Sequence, residues 1–163
     1  MRDKLKAELD AIFSSHEKAT ALIARQVEDK DQRERDFIAR FEALRDSLIR
    51  PVFQEVGELV KARGYDYRIE SWDERRDESG RPEGPQVEIG FLTGTGGYAA
   101  SKGPYPKFTI IAEKYASRLR FKESTVMPGR TGRSGEAGES TLEALTRDLL
   151  VERLVALLRE VFK

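Results

Sequence analysis

The sequence contains no cysteine and a single histidine, His16. Without cysteine the chain can form no disulfide and offers no thiolate to a metal or a substrate. One histidine cannot build the imidazole clusters of most zinc sites, and no acidic loop of the calcium-binding kind is evident. No serine in a nucleophile-elbow context lies near His16 in the sequence. We therefore predict no metal, no cofactor and no enzymatic activity.

The chain also lacks net charge and long apolar runs. Lysine plus arginine and aspartate plus glutamate both number 29, so no overall field attracts nucleic acid or an anionic membrane. No apolar run approaches the roughly 20 residues that span a bilayer. The N-terminal residues Met1 to Lys4 lack the apolar segment of a signal peptide. We expect a soluble, cytoplasmic protein with no membrane partner.

An apolar pattern with alternating steps of four and three residues runs from Leu9 to Leu48. This spacing keeps one line of side chains facing a partner helix, as in a coiled coil. Residues 28–36 are almost entirely charged, but the phase continues beyond them and the stretch has no glycine or proline. We predict one helix from Asp3 to Ile49, with a hairpin at the charged middle as the alternative.

The heptad helix predicts self-association. We expect residues 1–49 to form a helical oligomerisation segment, most simply a homodimer, and residues 50–163 to form a small α+β domain. The interface residues are predicted from the heptad positions to be Leu9, Phe13, His16, Ile23, Val27, Phe37, Phe41, Leu44 and Leu48. His16 either makes a pH-sensitive contact or is a polar seam residue that helps to fix the register, and the second interpretation is favoured.

The remaining helices are indicated by a proline, a glycine and a possible cap. Pro51 is expected to end the long helix and to begin a second one that runs to Arg63. Gly64 then provides a C-terminal stop. Ser140, with Glu143 three residues later, resembles a capping box for a last helix from about Thr141 to Phe162.

Alternating apolar and polar residues between these helices predict four strands. They lie at residues 65–72, 87–92, 107–113 and 117–126. Polar loops are expected at 73–85, which we predict to be mobile, and at 127–139. The predicted fold class is α+β, with the long helix, a short helix, a four-stranded antiparallel meander and a C-terminal helix packed on the sheet.

A cluster of basic residues gives an alternative function. The cations are Arg118, Arg120, Lys122, Arg130 and Arg133, and the first three alternate along one predicted strand. Such a face could bind a phosphate backbone. Cross-strand pairing with the acidic strands that carry Glu70 and Glu88 would neutralise it, and we favour that interpretation. The glycine-rich segment 93–98 is interpreted as a strand connection rather than a phosphate-binding loop.

The sequence thus favours a non-enzymatic interaction module. It is expected to self-associate through the long helix and to present the α+β domain to another protein. Nucleic-acid binding through residues 118–133 is the alternative.

Overall fold

The computed structural model describes residues 1–93 and 104–163. These residues form two compact units, Met1–Asp36 and Phe37–Lys163. The division into an oligomerisation segment at 1–49 and a domain at 50–163 stays a prediction. Phe37, Phe41 and Ile49 belong to the hydrophobic core of the second unit.

The predicted long helix is confirmed. Helix α1 spans Arg2–Leu44 and contains the charged stretch 28–36 without interruption, which excludes the hairpin alternative. Side-chain contacts support this polar stretch, because Gln32 donates to Asp36 at 2.8 Å and Arg35 donates to Gln32 at 2.8 Å. Pairs at this spacing lie on one face of a helix and stabilise it modestly.

The expected break at Pro51 is wrong. A π-helical turn, Arg45–Ile49, follows α1 and leads directly into α2, Arg50–Lys61. The flanking residues Leu44 and Ile49 keep right-handed helical dihedral angles. Proline clashes with the carbonyl four residues before it in a regular α-helix, and the wider π turn accommodates that ring.

Helix α2 ends close to the predicted stop. Ala62 is its C-terminal cap, two residues before Gly64, which adopts φ +98°. This left-handed conformation is strained for residues with a side chain, and it turns the chain into the sheet.

The strands form an antiparallel sheet of five strands, where we had predicted four. Its strands are β1 Asp66–Trp72, β4 Gln86–Leu92, β5 Lys107–Glu113, β6 Arg118–Ser124 and β7 Ser134–Ser140, in that spatial order. The short strands β2 Arg75–Arg76 and β3 Pro82–Glu83 form a separate hairpin.

Strand β7 occupies much of the predicted polar loop. Its sequence contains no large apolar residue, so it shows no alternating hydrophobic pattern. Backbone pairing with β6 holds it at the sheet edge, and the register shifts at Phe121/Lys122. Gly138 has φ +121°, and it allows the irregular backbone at this point.

The predicted loop 73–85 contains the β2–β3 hairpin, whose turn is closed by Asp77 and whose second strand is joined to the sheet by Glu83. Asp77 closes the turn, since its Oδ1 accepts hydrogen bonds from the backbone of Ser79 and Arg81, both at 2.9 Å. The hydroxyl of Ser79 also donates to this carboxylate and is the main reason that the pKa of Asp77 is lowered. Glu83, at the other end, accepts from Arg120 on β6 at 2.6 Å.

The core lies between the sheet's inner face, helix α2 and the last helix, α3 (Arg147–Val161). Alternate residues of β4, β5 and β6 point inward, and Phe53 of α2 meets Phe108 of β5 edge to face at 6.2 Å. All seven residues of β4 are buried, including those on the outer face.

Helix α3 spans Arg147–Val161 and starts six residues later than predicted. Thr146 is its N-cap and accepts from the backbone N–H of Leu149 at 3.2 Å. The predicted capping box is wrong, because residues 142–144 form a turn before the helix and Glu143 instead pairs with Arg40. In the described residues, no helix is apolar and long enough to cross a membrane.

Candidate interaction surfaces

The first candidate surface is an apolar stripe on the Met1–Asp36 unit. Four predicted interface residues lie exposed on it, with exposed fractions of 42% for Leu9, 58% for Phe13, 61% for Ile23 and 54% for Val27. Leu5 and Ile12 are also exposed and extend the stripe by helical spacing, and His16 lies within it, also exposed. We call these residues the N-terminal stripe. Contiguous apolar surface of this kind usually marks an interaction site.

The other half of the predicted interface lies elsewhere. Phe37 and Phe41 are 5% and 0% exposed in the core of the Phe37–Lys163 unit. Leu44 and Leu48 are partly buried against the same core. The chain itself therefore covers these four side chains, and within the predicted interface only the residues of the N-terminal stripe are exposed to a second molecule.

The predicted basic strand does present its cations together on the outer face of the sheet. Arg118 donates to Glu139 at 2.8 Å and lies beside Glu113, whose hydrogen bond raises the pKa of the arginine. Arg120 and Lys122 both donate to Glu83, at 2.6 and 3.0 Å. Each of the three cations already contacts a carboxylate.

The other two predicted cations fasten the loop after β6 to α3. Arg133 donates to Glu160 at 2.6 Å and to the buried Glu123 at 2.8 Å. These two carboxylates raise the pKa of Arg133, and Arg133 in turn lowers the pKa of Glu160. Arg130 donates to the backbone oxygen of Val161 at 3.1 Å, which satisfies a carbonyl at the end of the helix.

A second apolar surface was not predicted. Helices α2 and α3 border a groove of about 340 Å³ on the Phe37–Lys163 unit, with the exposed side chains of Leu59, Val155 and Phe162 on its walls. Arg147 donates to Glu55 at 2.6 Å at one end. We call this the α2–α3 groove. The sequence does contain a signal for this groove: the apolar stripe on the last helix is wider than the face that packs on the sheet.

Comparisons with known proteins add nothing to this geometry. No family model, curated protein or solved structure matches the chain.

Neither a metal centre nor a phosphate loop can be argued from the described residues. Among residues 1–93 and 104–163, no group of three or more histidine, aspartate or glutamate side chains is arranged to hold a metal ion. Of the glycine-rich segment 93–98, all but Thr93 falls outside the described residues.

Proposed function

We propose that the protein is a non-enzymatic interaction module that self-associates through the N-terminal helix. The simplest assembly is a two-fold homodimer in which the N-terminal stripes of two copies pack against each other. Each copy then presents its α+β unit to a different protein.

The observation that carries this proposal is the exposure of the N-terminal stripe. Large apolar side chains recur there at heptad spacing, and about half of the surface of each remains exposed. Helices that lack packing are marginal in water, and most of their stability in proteins comes from burying an apolar face. A second copy of the stripe supplies a face of the same length and period.

The polar residues His16 and Thr20 fit the same arrangement. They occupy heptad positions between Phe13 and Ile23. Polar residues at such positions reduce stability but select one register, because other alignments would bury them against apolar side chains.

Sedimentation velocity over a concentration series tests the proposal. We expect a reversible dimer at tens of micromolar. A chain that remains monomeric over this range refutes it.

The cysteine-free sequence permits a second test, of helix orientation. In a parallel dimer, a Val27→Cys variant places the two thiols opposite each other and forms an intermolecular disulfide under mild oxidation. A Leu22→Cys variant is the control, because Leu22 is equally exposed but lies off the stripe. Crosslinking of both variants to the same extent would contradict the packing of one N-terminal stripe against the other.

The α2–α3 groove supports the second part of the proposal, the binding of a protein partner. Grooves between two helices accept the apolar face of an amphipathic helix. We expect a Leu59→Glu variant to lose a partner that copurifies with the wild-type protein while it remains dimeric. Retention of that partner, or loss of the dimer, would show that the groove does not have this role.

Nucleic-acid binding is the alternative function. It would use the five cations at residues 118–133, four of which are paired with carboxylates. Binding to DNA or RNA that weakens steeply with salt, and that is lost in an Arg118→Glu, Arg120→Glu double variant, would favour it.

A further inference from the structure

A polar cleft lies on the outer face of the sheet, beneath the β2–β3 hairpin. Its volume is about 540 Å³, within the range of small-molecule sites. The hairpin forms one wall, and strands β4, β5 and β6 form the floor. None of its residues belongs to the N-terminal stripe or to the α2–α3 groove.

The floor of the cleft buries polar groups whose hydrogen-bonding capacity is only partly used. Gln86 is 2% exposed, and its Nε2 has no hydrogen-bond partner among the described residues. Glu88 is 4% exposed, and the hydrogen bonds that the described residues make to it, from Thr109 at 3.0 Å and Arg75 at 3.5 Å, both end on Oε2. Burying such groups is costly unless partners satisfy them. A cation bound in the cleft would supply Glu88 with a further partner.

A free cation lies beside this carboxylate. Lys107 lines the cleft, and no acidic residue in the described part of the chain is within ion-pair distance of it. Lys107 is opposite Gly90, and Glu88 is opposite Thr109, so Lys107 and Glu88 are diagonal neighbours on adjacent strands. Side chains in this relation lie about 7 Å apart and can contact opposite ends of one small molecule.

These charges select the chemical class of the ligand. A neutral ligand would leave Lys107 without an opposite charge among the described residues, and Glu88 with only its long 3.5 Å contact to Arg75. An anionic ligand would pair with Lys107 but would bring no cation to the buried Glu88. We propose that the cleft binds a free basic α-amino acid, with its α-ammonium group on Glu88 and its α-carboxylate on Lys107. Glu78 lines the cleft and makes no ion pair with the described residues, so its carboxylate is available to the second cation of the ligand.

Arg75 provides a built-in reporter of binding. Its guanidinium lies 4.2 Å from the ring centre of Trp72, and its one ion pair with a described residue is the long 3.5 Å contact with Glu88. A ligand ammonium displaces Arg75 from Glu88 and changes its position over Trp72. Trp72 is the only tryptophan in the chain, so its fluorescence follows this step directly.

The test is a titration of the full-length protein with L-arginine, followed by calorimetry and Trp72 fluorescence. Two analogues separate the charges, since agmatine lacks the carboxylate and N-acetyl-L-arginine lacks the α-ammonium. We expect saturable binding of one L-arginine per chain and about 10- to 100-fold weaker binding of both analogues, the usual effect of losing a charge-assisted hydrogen bond. No saturation by about 10 mM, or equal binding of L-arginine and both analogues, overturns the proposal.

Variants assign the two contacts. Glu88→Gln should weaken L-arginine binding about 10- to 100-fold. The matched control Glu70→Gln should leave binding unchanged, because Glu70 lies opposite Glu88 on β1 but outside the cleft. Lys107→Met should bind L-arginine and agmatine equally, since it removes the group that distinguishes them. Wild-type affinity in Glu88→Gln, or a preserved preference for L-arginine in Lys107→Met, refutes the assignment. If Glu88→Gln does not fold, the Lys107→Met comparison decides alone.

Discussion

Replacing Ile23 with lysine should weaken self-association of the chain. Ile23 is 61% exposed on the N-terminal stripe. Full burial of an isoleucine side chain contributes about 1.5–3 kcal/mol, so burial of the exposed part contributes about 1–2 kcal/mol per copy. A two-fold dimer buries it twice, and the loss of about 2–4 kcal/mol corresponds to a roughly 30- to 700-fold higher dissociation constant.

Leu22 provides a matched control on the same helix turn. It is 55% exposed but lies off the N-terminal stripe. Leucine and lysine have similar helix propensities, so Leu22→Lys changes charge and hydrophobicity with little effect on the helix itself. Sedimentation velocity should show a dissociation constant within a few-fold of the wild-type value for Leu22→Lys, and circular dichroism should show that both variants remain helical. Equal weakening by the two variants would refute the stripe as the interface.

Three further predictions concern stability. Phe41→Ala should lower the free energy of unfolding by about 3–5 kcal/mol in chemical denaturation, because Phe41 is fully buried, whereas Phe13→Ala on the same helix should leave the unfolding of the Phe37–Lys163 unit unchanged. Thr146→Ala should lower the free energy of unfolding by about 1 kcal/mol, because it removes the cap of α3. Ser140→Ala should lower it much less in the same assay, since Ser140 caps no helix. A larger loss for Ser140→Ala than for Thr146→Ala would support the predicted capping box instead. Arg133 lowers the pKa of Glu160 in the folded protein. The ion pair therefore stabilises the fold above the unfolded pKa of Glu160, about 4.5, and this stabilisation is lost as the pH falls through the lower folded pKa. Wild type should therefore exceed Glu160→Gln in melting temperature at pH 7, and the two curves should converge at acid pH; a constant difference across this range would contradict the ion pair.

Much of the fold could be predicted because its signals are local. Strands β1, β4, β5 and β6 each alternate between an inner and an outer face, and the heptad pattern marks α1. These periods are properties of consecutive residues and need no knowledge of the partner strand or helix.

The missed elements depend on contacts between distant residues. Strand β7 is held by backbone pairing with β6, and its glycine-rich sequence carries no hydrophobic signal. The 73–85 hairpin is fixed by Glu83, whose cation partners lie almost forty residues later. The start of α3 was misplaced because Ser140 and Thr146 are both acceptable caps, and only packing selects between them.

The interaction surfaces could be predicted only in part, because burial also depends on contacts between distant residues. The heptad pattern continues from Val27 to Phe41, but the sequence cannot show that the first part is exposed and the second is covered by the chain's own core. The basic strand was predicted to project its cations together, and it does. Its acidic partners are Glu83, Glu113, Glu136 and Glu139. They lie on β5, β7 and the hairpin rather than on β1 and β4, because the spatial order places β6 between β5 and β7.

Two departures from the usual distribution of residues indicate where function should be sought. The N-terminal stripe exposes large apolar side chains, whereas the cleft buries the charged Glu88 and buries Gln86, whose Nε2 has no hydrogen-bond partner among the described residues. Either arrangement lowers the stability of an isolated chain. Exposed apolar side chains contribute no hydrophobic stabilisation, and buried polar groups lose their hydration. Both costs disappear when a suitable molecule binds: an apolar helix face in the first case, a charged small molecule in the second. The two sites share no residue, so loss of one activity on mutation should leave the other intact.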